Sequence, residues 1–462
     1  MYLIAGTIKL FDTGVTFLSM KIGTILLGIF MLPYMYLLGK EVGNRWTGLF
    51  AMFLTGIAFW PNVLARVALR HSLYAVFLAP TLYHLLRGMR TSTRNHFILA
   101  GVFLGISLHG YTASRVVPLL VLVAVGLYWL HERSKKARRQ TIIWLGILAF
   151  ISLVIFLPLL RYSFEPTNMY NDRLLTRLTG IEQELPGPVW KIFPENVWNG
   201  LLMLNWSSGD IWNVTIPYQP SLATLSGAMF VLGMGLLLVR YFRQRHWHNL
   251  FLILAVPITM LPSTLSLANP NENPAPNRVS GAAVIVFLIA ALALEALLRG
   301  IKEKAGEKFG TRVAWVIGSV LLLFAAVQNY GLTFDKFRTQ YTQKAMNTAE
   351  LGGVIENFAI TVGDPDSAWV VAYRHWVDTR LVGINAGYPD KDYAIWPYEI
   401  HTTLEAPGPK LFLYNPVDKE ARTVLEELYP LGSTSLHVSA VPFKDFYIYF
   451  VPAEDDLIPE SD

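Results

Sequence analysis

The sequence predicts an α-helical polytopic membrane domain of about ten transmembrane helices, followed by a small C-terminal extracytoplasmic α/β domain. Three observations lead there. Hydrophobic residues make up 53% of the 462 and charged ones 15%, with a mean hydropathy of +0.39, whereas a soluble domain carries about 25% charge. The apolar residues gather in blocks of about 20, the length that crosses a hydrocarbon layer about 30 Å thick. From residue 335 onward these blocks give way to short strand-like runs. Aromatics at 13%, including 13 Trp, suit a chain with many membrane–water boundaries to anchor.

Ten spans are expected, at 21–39, 44–64, 71–87, 95–111, 113–131, 141–160, 222–240, 248–266, 279–298 and 311–330. Their Gly and Pro residues are tolerated because neighbouring helices re-satisfy the freed backbone groups in lipid. Loop charge sets the orientation. One set of alternate loops carries eighteen basic residues, from Lys40 and Arg45, through Arg87, Arg90 and Arg94, to Lys308 and Arg312. The opposing short loops carry four: Arg66, Arg70, Arg115 and Arg278. Positive loops stay in the cytoplasm, so the second set, the 161–221 loop, the N-terminus and everything after 331 are expected outside. The chain opens on Met1-Tyr2-Leu3-Ile4-Ala5, without the basic region or small-residue cleavage site of a signal peptide. With no cysteine, disulfides and thiolate metal sites are excluded. The net charge of +5 follows from this topology and is no sign of nucleic-acid binding.

The division expected is a membrane domain over 1–334, with an amphipathic outer loop at 161–221, and an α/β domain over 335–462. Val189 to Phe193 and Val197 to Leu202 are amphipathic stretches suited to the membrane surface. Ala368 to Tyr373, Lys410 to Tyr414 and Phe446 to Phe450 read as strands, and Asp418 to Leu428 has helical periodicity. Glu454 to Asp462 reads as a frayed tail.

The soluble-enzyme motifs are absent: there is no phosphate-cradling Gly-rich loop, no nucleophile elbow and no His-Glu-x-x-His metal helix. Asp364-Pro365-Asp366 and Asp390-Lys391-Asp392 read as turns. The outer loops say more, because arginines there oppose the charge rule. Arg66 and Arg70 are spaced one helical turn apart, on one expected face. Arg115 follows Gly110-Tyr111-Thr112-Ala113-Ser114, and Arg278 closes Pro274-Ala275-Pro276-Asn277. A guanidinium fork fits phosphate oxygens; the bland alternative is snorkelling to lipid headgroups or pairing with loop acids.

The order of these pieces resembles the GT-C-type membrane glycosyltransferases, in particular the bacterial family 39 or dolichyl-phosphate-mannose-protein mannosyltransferase-like proteins. Leu37 to Gly43, Ala65 to Arg70, Gly110 to Pro118, Ser208-Gly209-Asp210 with Pro217 to Pro220, and Pro274 to Arg278 are each similar to a segment of that family. The resemblance implies an inverting transferase with no cofactor, moving a sugar from a polyprenyl-phosphate donor to an extracytoplasmic protein, lipid or glycan acceptor. It also implies a multi-pass protein of the bacterial plasma membrane. Arg66, Arg70, Arg115 and Arg278 would bind the donor phosphate, and His71, Tyr111 and Glu272 would complete the donor and acceptor site. The family's catalytic base lies on an acidic first outer loop, to which nothing here corresponds. Asp12 falls in a turn and Glu41 on the cytoplasmic side, so a missing N-terminal portion is expected. His71 stands where some relatives place an acid, and Ala275 replaces a family histidine. An oligosaccharyl- or O-antigen-ligase-type enzyme, a lipid-linked glycan flippase and a non-catalytic envelope assembly subunit are the competing readings.

Overall fold

A computed structural model describes residues 2–164, 176 and 184–453. The expected tail from Glu454 and part of the 161–221 loop lie outside the described residues. The chain divides into two compact units, residues 24–338, and residues 1–23 together with 339–462.

Among the described residues seven helices are long and apolar enough to cross a membrane: Phe17–Val42, Thr112–His131, Lys135–Ser163, Thr224–Gln244, Trp247–Thr264, Ala282–Lys304 and Glu307–Lys344. The pair Arg45–Ile57 and Phe59–Arg66, bent by 52°, makes an eighth if counted as one span. The chain is thus a multi-pass membrane protein. The other two expected spans also form helices, less apolar or shorter than these. Ser72–Thr91 carries His84, Arg87 and Arg90 along its length, and Arg94–Gly110 has 17 residues. At 1.5 Å per residue the latter reaches about 26 Å, short of the hydrocarbon thickness.

Helix Ala282–Lys304 forms the centre of the larger unit. Its run from Ala282 to Leu294 is buried on every side, as a helix apolar all round must be. Lipid gives packed helices little hydrophobic advantage over separated ones, so close backbone approach matters more. Gly101 and Gly105, four residues apart on helix Arg94–Gly110, supply it. A Cβ on Gly101 would lie 2.7 Å from the Leu148 carbonyl oxygen, and one on Gly105 would lie 2.7 Å from Ile155 Cβ.

The elbow between Arg45–Ile57 and Phe59–Arg66 comes from Ala58, which leaves helical geometry at φ −64°, ψ 135°. Backbone groups freed within a membrane need new partners. Asn329, almost fully buried, accepts from the Phe59 N–H at 2.7 Å. Asn62 Nδ2 donates to the carbonyls of Gly56 and Ala58 at 2.8 Å each. Two asparagine amides thus stitch the break.

In the other unit, strands β1 (Ala368–Val371), β2 (Ala394–Ile395), β3 (Lys410–Tyr414), β4 (Ser433–His437) and β5 (Phe446–Val451) form one sheet in the order β2-β1-β3-β5-β4. β2, β1 and β3 run parallel, while β5 is antiparallel to β3 and β4. Leu351, Ile355 and Phe358 of helix Thr348–Thr361 cover one face, and Ala421 and Leu425 of helix Lys419–Leu428 the other. Coverage on both faces explains why β3 is an unbroken buried run rather than an alternating one. β2 and β4 were not expected. β2 has two residues, and β4, Ser-Thr-Ser-Leu-His, is a largely exposed edge whose sequence reads as a loop. The two acidic pairs are turns as expected. Asp364 caps the 3-10 turn Pro365–Ser367, and Asp392 accepts from Arg380 Nε at 3.1 Å.

Candidate functional site

Three segments of the larger unit converge. The first follows helix Phe59–Arg66. The expectation of Arg66 and Arg70 on one helical face is corrected here. The helix ends at Arg66, and Ala68 turns into left-handed geometry at φ 56°, which an L-residue adopts only under local constraint. The two guanidiniums therefore part company. Arg66 lies over the Phe334 ring, 4.4 Å from its centroid, whereas Arg70 lies 5.8 Å from the centroid of Tyr111.

Tyr111 belongs to the second segment, which runs into the 3-10 turn Thr112–Val116. It is buried, and its ring also meets His71 edge-on with centroids 4.9 Å apart. Arg115 sits half-buried within the turn. The third segment, Asn269 to Ser280, is fixed by a chain of amides and hydroxyls. Ser263 Oγ donates to Asn273 Oδ1 at 2.7 Å and accepts from the Ala275 N–H at 3.0 Å. Asn273 Nδ2 donates to the Asn196 carbonyl at 2.9 Å, and Trp60 Nε1 to that of Pro276 at 3.0 Å. Ser280 Oγ donates to the His71 carbonyl at 2.6 Å, joining the third segment to the first.

The segments leave Arg70, His71, Tyr111, Glu272 and Arg278 grouped. Arg278 is ion-paired with Glu272 and donates to Ser266 Oγ at 3.4 Å. Burial pushes the Arg278 guanidinium below its usual range, and the phenol of Tyr111 nearby works the other way. Arginine keeps its proton under such pressure, so the site holds a half-desolvated fixed cation. Asn277 Nδ2 lies 3.5 Å from His71 Nε2. Around these groups His71 Nδ1, Ser72 Oγ, Ser114 Oγ and Asn277 Oδ1 are buried without a hydrogen-bond partner among the described residues. Each such atom costs about 1–3 kcal/mol if left unsatisfied; the two hydroxyls can donate to an anion's oxygens, whereas Asn277 Oδ1 only accepts and suits water or a ligand hydroxyl.

Of the residues read from sequence, the structure brings together Arg70, His71, Tyr111, Glu272 and Arg278 and turns Arg66 toward Phe334. Glu41 is occupied by Arg87 at 3.1 Å and by Arg90. Ser114, Asn273, Asn277 and Ser280 escaped the sequence reading, since small polar residues in loops carry no distinctive spacing. Among the described residues no group of three or more His, Asp or Glu could hold a metal ion.

Residues 1–162 match the model of the family described as dolichyl-phosphate-mannose-protein mannosyltransferase. No curated protein matches. Among solved structures, ArnT from Cupriavidus metallidurans bound to undecaprenyl phosphate superposes with a TM-score of 0.57 at 14% identity, over 97% of this chain and 86% of that one. The archaeal oligosaccharyltransferase AglB from Archaeoglobus fulgidus, in complex with an inhibitory peptide and a dolichol-phosphate, gives 0.54 at 12% identity, over 99% of this chain and 66% of that longer one.

Proposed function

We propose that this protein, whose fold is that of the GT-C-type glycosyltransferases and whose first third carries the pattern of the dolichyl-phosphate-mannose-protein mannosyltransferase family, transfers a sugar from a polyprenyl-phosphate donor to an extracytoplasmic acceptor. In this reading it lies in the bacterial plasma membrane, with residues 335–462 outside. The observation that carries it is the grouping of Arg70 and Arg278 with Tyr111, His71 and four orphaned buried polar atoms.

The acceptor's nucleophilic atom attacks the anomeric carbon as the bond from that carbon to the phosphate oxygen breaks, inverting the centre. The acceptor proton passes to a base, and the bonding electron pair leaves with polyprenyl phosphate. Charge therefore grows on the phosphate, where a fixed guanidinium stabilises it without reorganisation. Arg278 would supply a partly buried cation and Arg70, held on Tyr111, a second. Ser114 and Asn277 line the polar part of the site. Arg66, stacked on Phe334, and Arg115 remain as phosphate ligands of the outer rim.

The test is binding of undecaprenyl phosphate to the full-length protein in nanodiscs, with neutral undecaprenol as control. The phosphate should be preferred, and Arg278→Ala should weaken it about 10- to 100-fold, the loss of a charge-assisted hydrogen bond of about 1.5–3 kcal/mol. Equal binding of phosphate and alcohol, or an unaffected Arg278→Ala protein, would overturn the reading.

A further inference from the structure

At the carboxyl ends of β1 and β2 the chain encloses a cavity of about 500 Å³, well within the range of about 300–1,000 Å³ of small-molecule sites. In the order β2-β1-β3, β1 has parallel neighbours on both sides. Open parallel sheets bind their ligands outside the carboxyl ends of their strands, and the lining here comes from the ends of β1 and β2.

The walls are built, not incidental. After β1 the Ala372 N–H donates to the Ile395 carbonyl at 2.8 Å and the Trp376 N–H to that of Tyr373 at 3.3 Å. Between them His375 is held at φ 57°. Such strain costs a non-glycine residue about 1–3 kcal/mol and persists only where the surroundings enforce it. The result sets Tyr373, Arg374 and His375 along one wall. Trp396, also on the lining, follows β2, its N–H donating to Glu399 Oε2 at 3.1 Å. Its ring lies nearly parallel to that of Tyr398, at 12° with centroids 6.3 Å apart. Trp396 is 51% exposed, Tyr398 68% and Tyr373 40%.

Two large aromatics, Tyr373 and Trp396, kept in water on the lining of one cavity need a reason, because burying each would be favourable. A pyranose ring offers one: its C–H face lies flat on an aromatic ring while its hydroxyls point outward to donors. Arg374 is exposed and has no ion pair among the described residues, and His375 and Thr379 stand beside it. Asp392 nearby is already taken by Thr379 and Arg380, which leaves Arg374 as the charge available to a ligand. A peptide adding to the sheet beside this cavity would need a free edge there, and β2 offers two residues.

We propose that this cavity is a saccharide-binding site for one or two pyranose units, with Trp396 as the stacking platform and Arg374 as donor to hydroxyl or carboxylate oxygens. It stands whether or not the arginine cluster of the membrane unit binds a lipid phosphate.

The test uses the full-length protein in nanodiscs, with saturation-transfer NMR and calorimetry. The probes are methyl glycosides and disaccharides of glucose, mannose, galactose and glucuronic acid, and an unstructured peptide. At least one saccharide should bind with a Kd on the order of 1 mM. Trp396→Ala should weaken it about tenfold and Trp396→Phe by less than about threefold, as loss and retention of one stacking contact imply. Arg374→Gln should weaken the glucuronic acid glycosides most. Undecaprenyl phosphate binding, followed in parallel, should be the same in Trp396→Ala as in the parent, which separates a lost platform from a misfolded protein. Three results would overturn the proposal: no saccharide bound by the parent, equal saccharide binding by Trp396→Ala, or binding of the peptide alone.

Discussion

Glu272 holds the guanidinium that a donor phosphate would need, so Glu272→Gln should tighten phosphate binding. Arg278 is shared between the Glu272 carboxylate and Ser266 Oγ, and an arriving phosphate must compete with that carboxylate. The side chains are 16% and 41% exposed, so the pair is half-wet and is worth about 0.5–1 kcal/mol, in the range of surface ion pairs. Glutamine keeps the size and an acceptor oxygen while removing the charge. At about 1.4 kcal/mol per factor of ten, affinity for undecaprenyl phosphate should rise about two- to fivefold. Native mass spectrometry of protein released from nanodiscs, titrated with undecaprenyl phosphate at low and high salt, measures it. The gain should shrink at high salt, which screens exposed charges. Unchanged affinity would mean that Arg278 does not meet the phosphate. Weaker affinity would mean that Glu272 holds Arg278 in its working position rather than competing for it.

Two further outcomes are expected. Asn273→Ala should lower the thermal stability of the detergent-solubilised protein by about 2–3 kcal/mol, because it leaves the Asn196 carbonyl and Ser263 Oγ without their partner inside the fold; an unchanged melting temperature would show that this network does not hold the Arg278 loop. For Glu350, burial favours the neutral acid, but hydrogen bonds from Asn347, Ser439 and the Ala440 N–H, with His437 beside it, outweigh that and hold the carboxyl below its usual range. A carboxyl depressed in the folded state contributes stability above its unfolded pKa of about 4.3 and loses it as pH falls through the folded value. Glu350→Gln should therefore flatten the acid limb of the unfolding profile below that pH; an identical limb in both proteins would refute the assignment.

The fold was legible where the physics is one-dimensional. Blocks of apolar residues can be counted, and the runs that became β1, β3 and β5 announce strands because both faces of the sheet are covered. The edge strand β4 was not, since its Ser-Thr-Ser-Leu-His satisfies its partner through backbone hydrogen bonds that any sequence can make. Of the site, Arg278 and Tyr111 could be read because arginine and tyrosine at the ends of spans in loops otherwise poor in basic residues are conspicuous. That Arg66 and Arg70 would diverge could not, because the cause is a single backbone angle at Ala68, a residue with no preference for it. The amide and hydroxyl chain through Asn196, Ser263 and Asn273 joins positions far apart in sequence, and no local pattern encodes such pairings. The cavity beyond β1 and β2 is of the same kind: Tyr373, Arg374 and Trp396 come together only once the sheet has set its strand order.

The stitched elbow at Ala58 acts as a lever. Beyond it, helix Phe59–Arg66 runs eight residues, about 12 Å at 1.5 Å per residue. If the 52° bend opened into one straight rod, the far tip would swing by about 10 Å. Arg66 rides on that tip and the Arg70–His71 turn hangs from it, so the aim of the whole basic loop is set at its fulcrum. That fulcrum is held by the side-chain amides of Asn62 and Asn329. Two uncharged residues thereby decide where its charge is delivered.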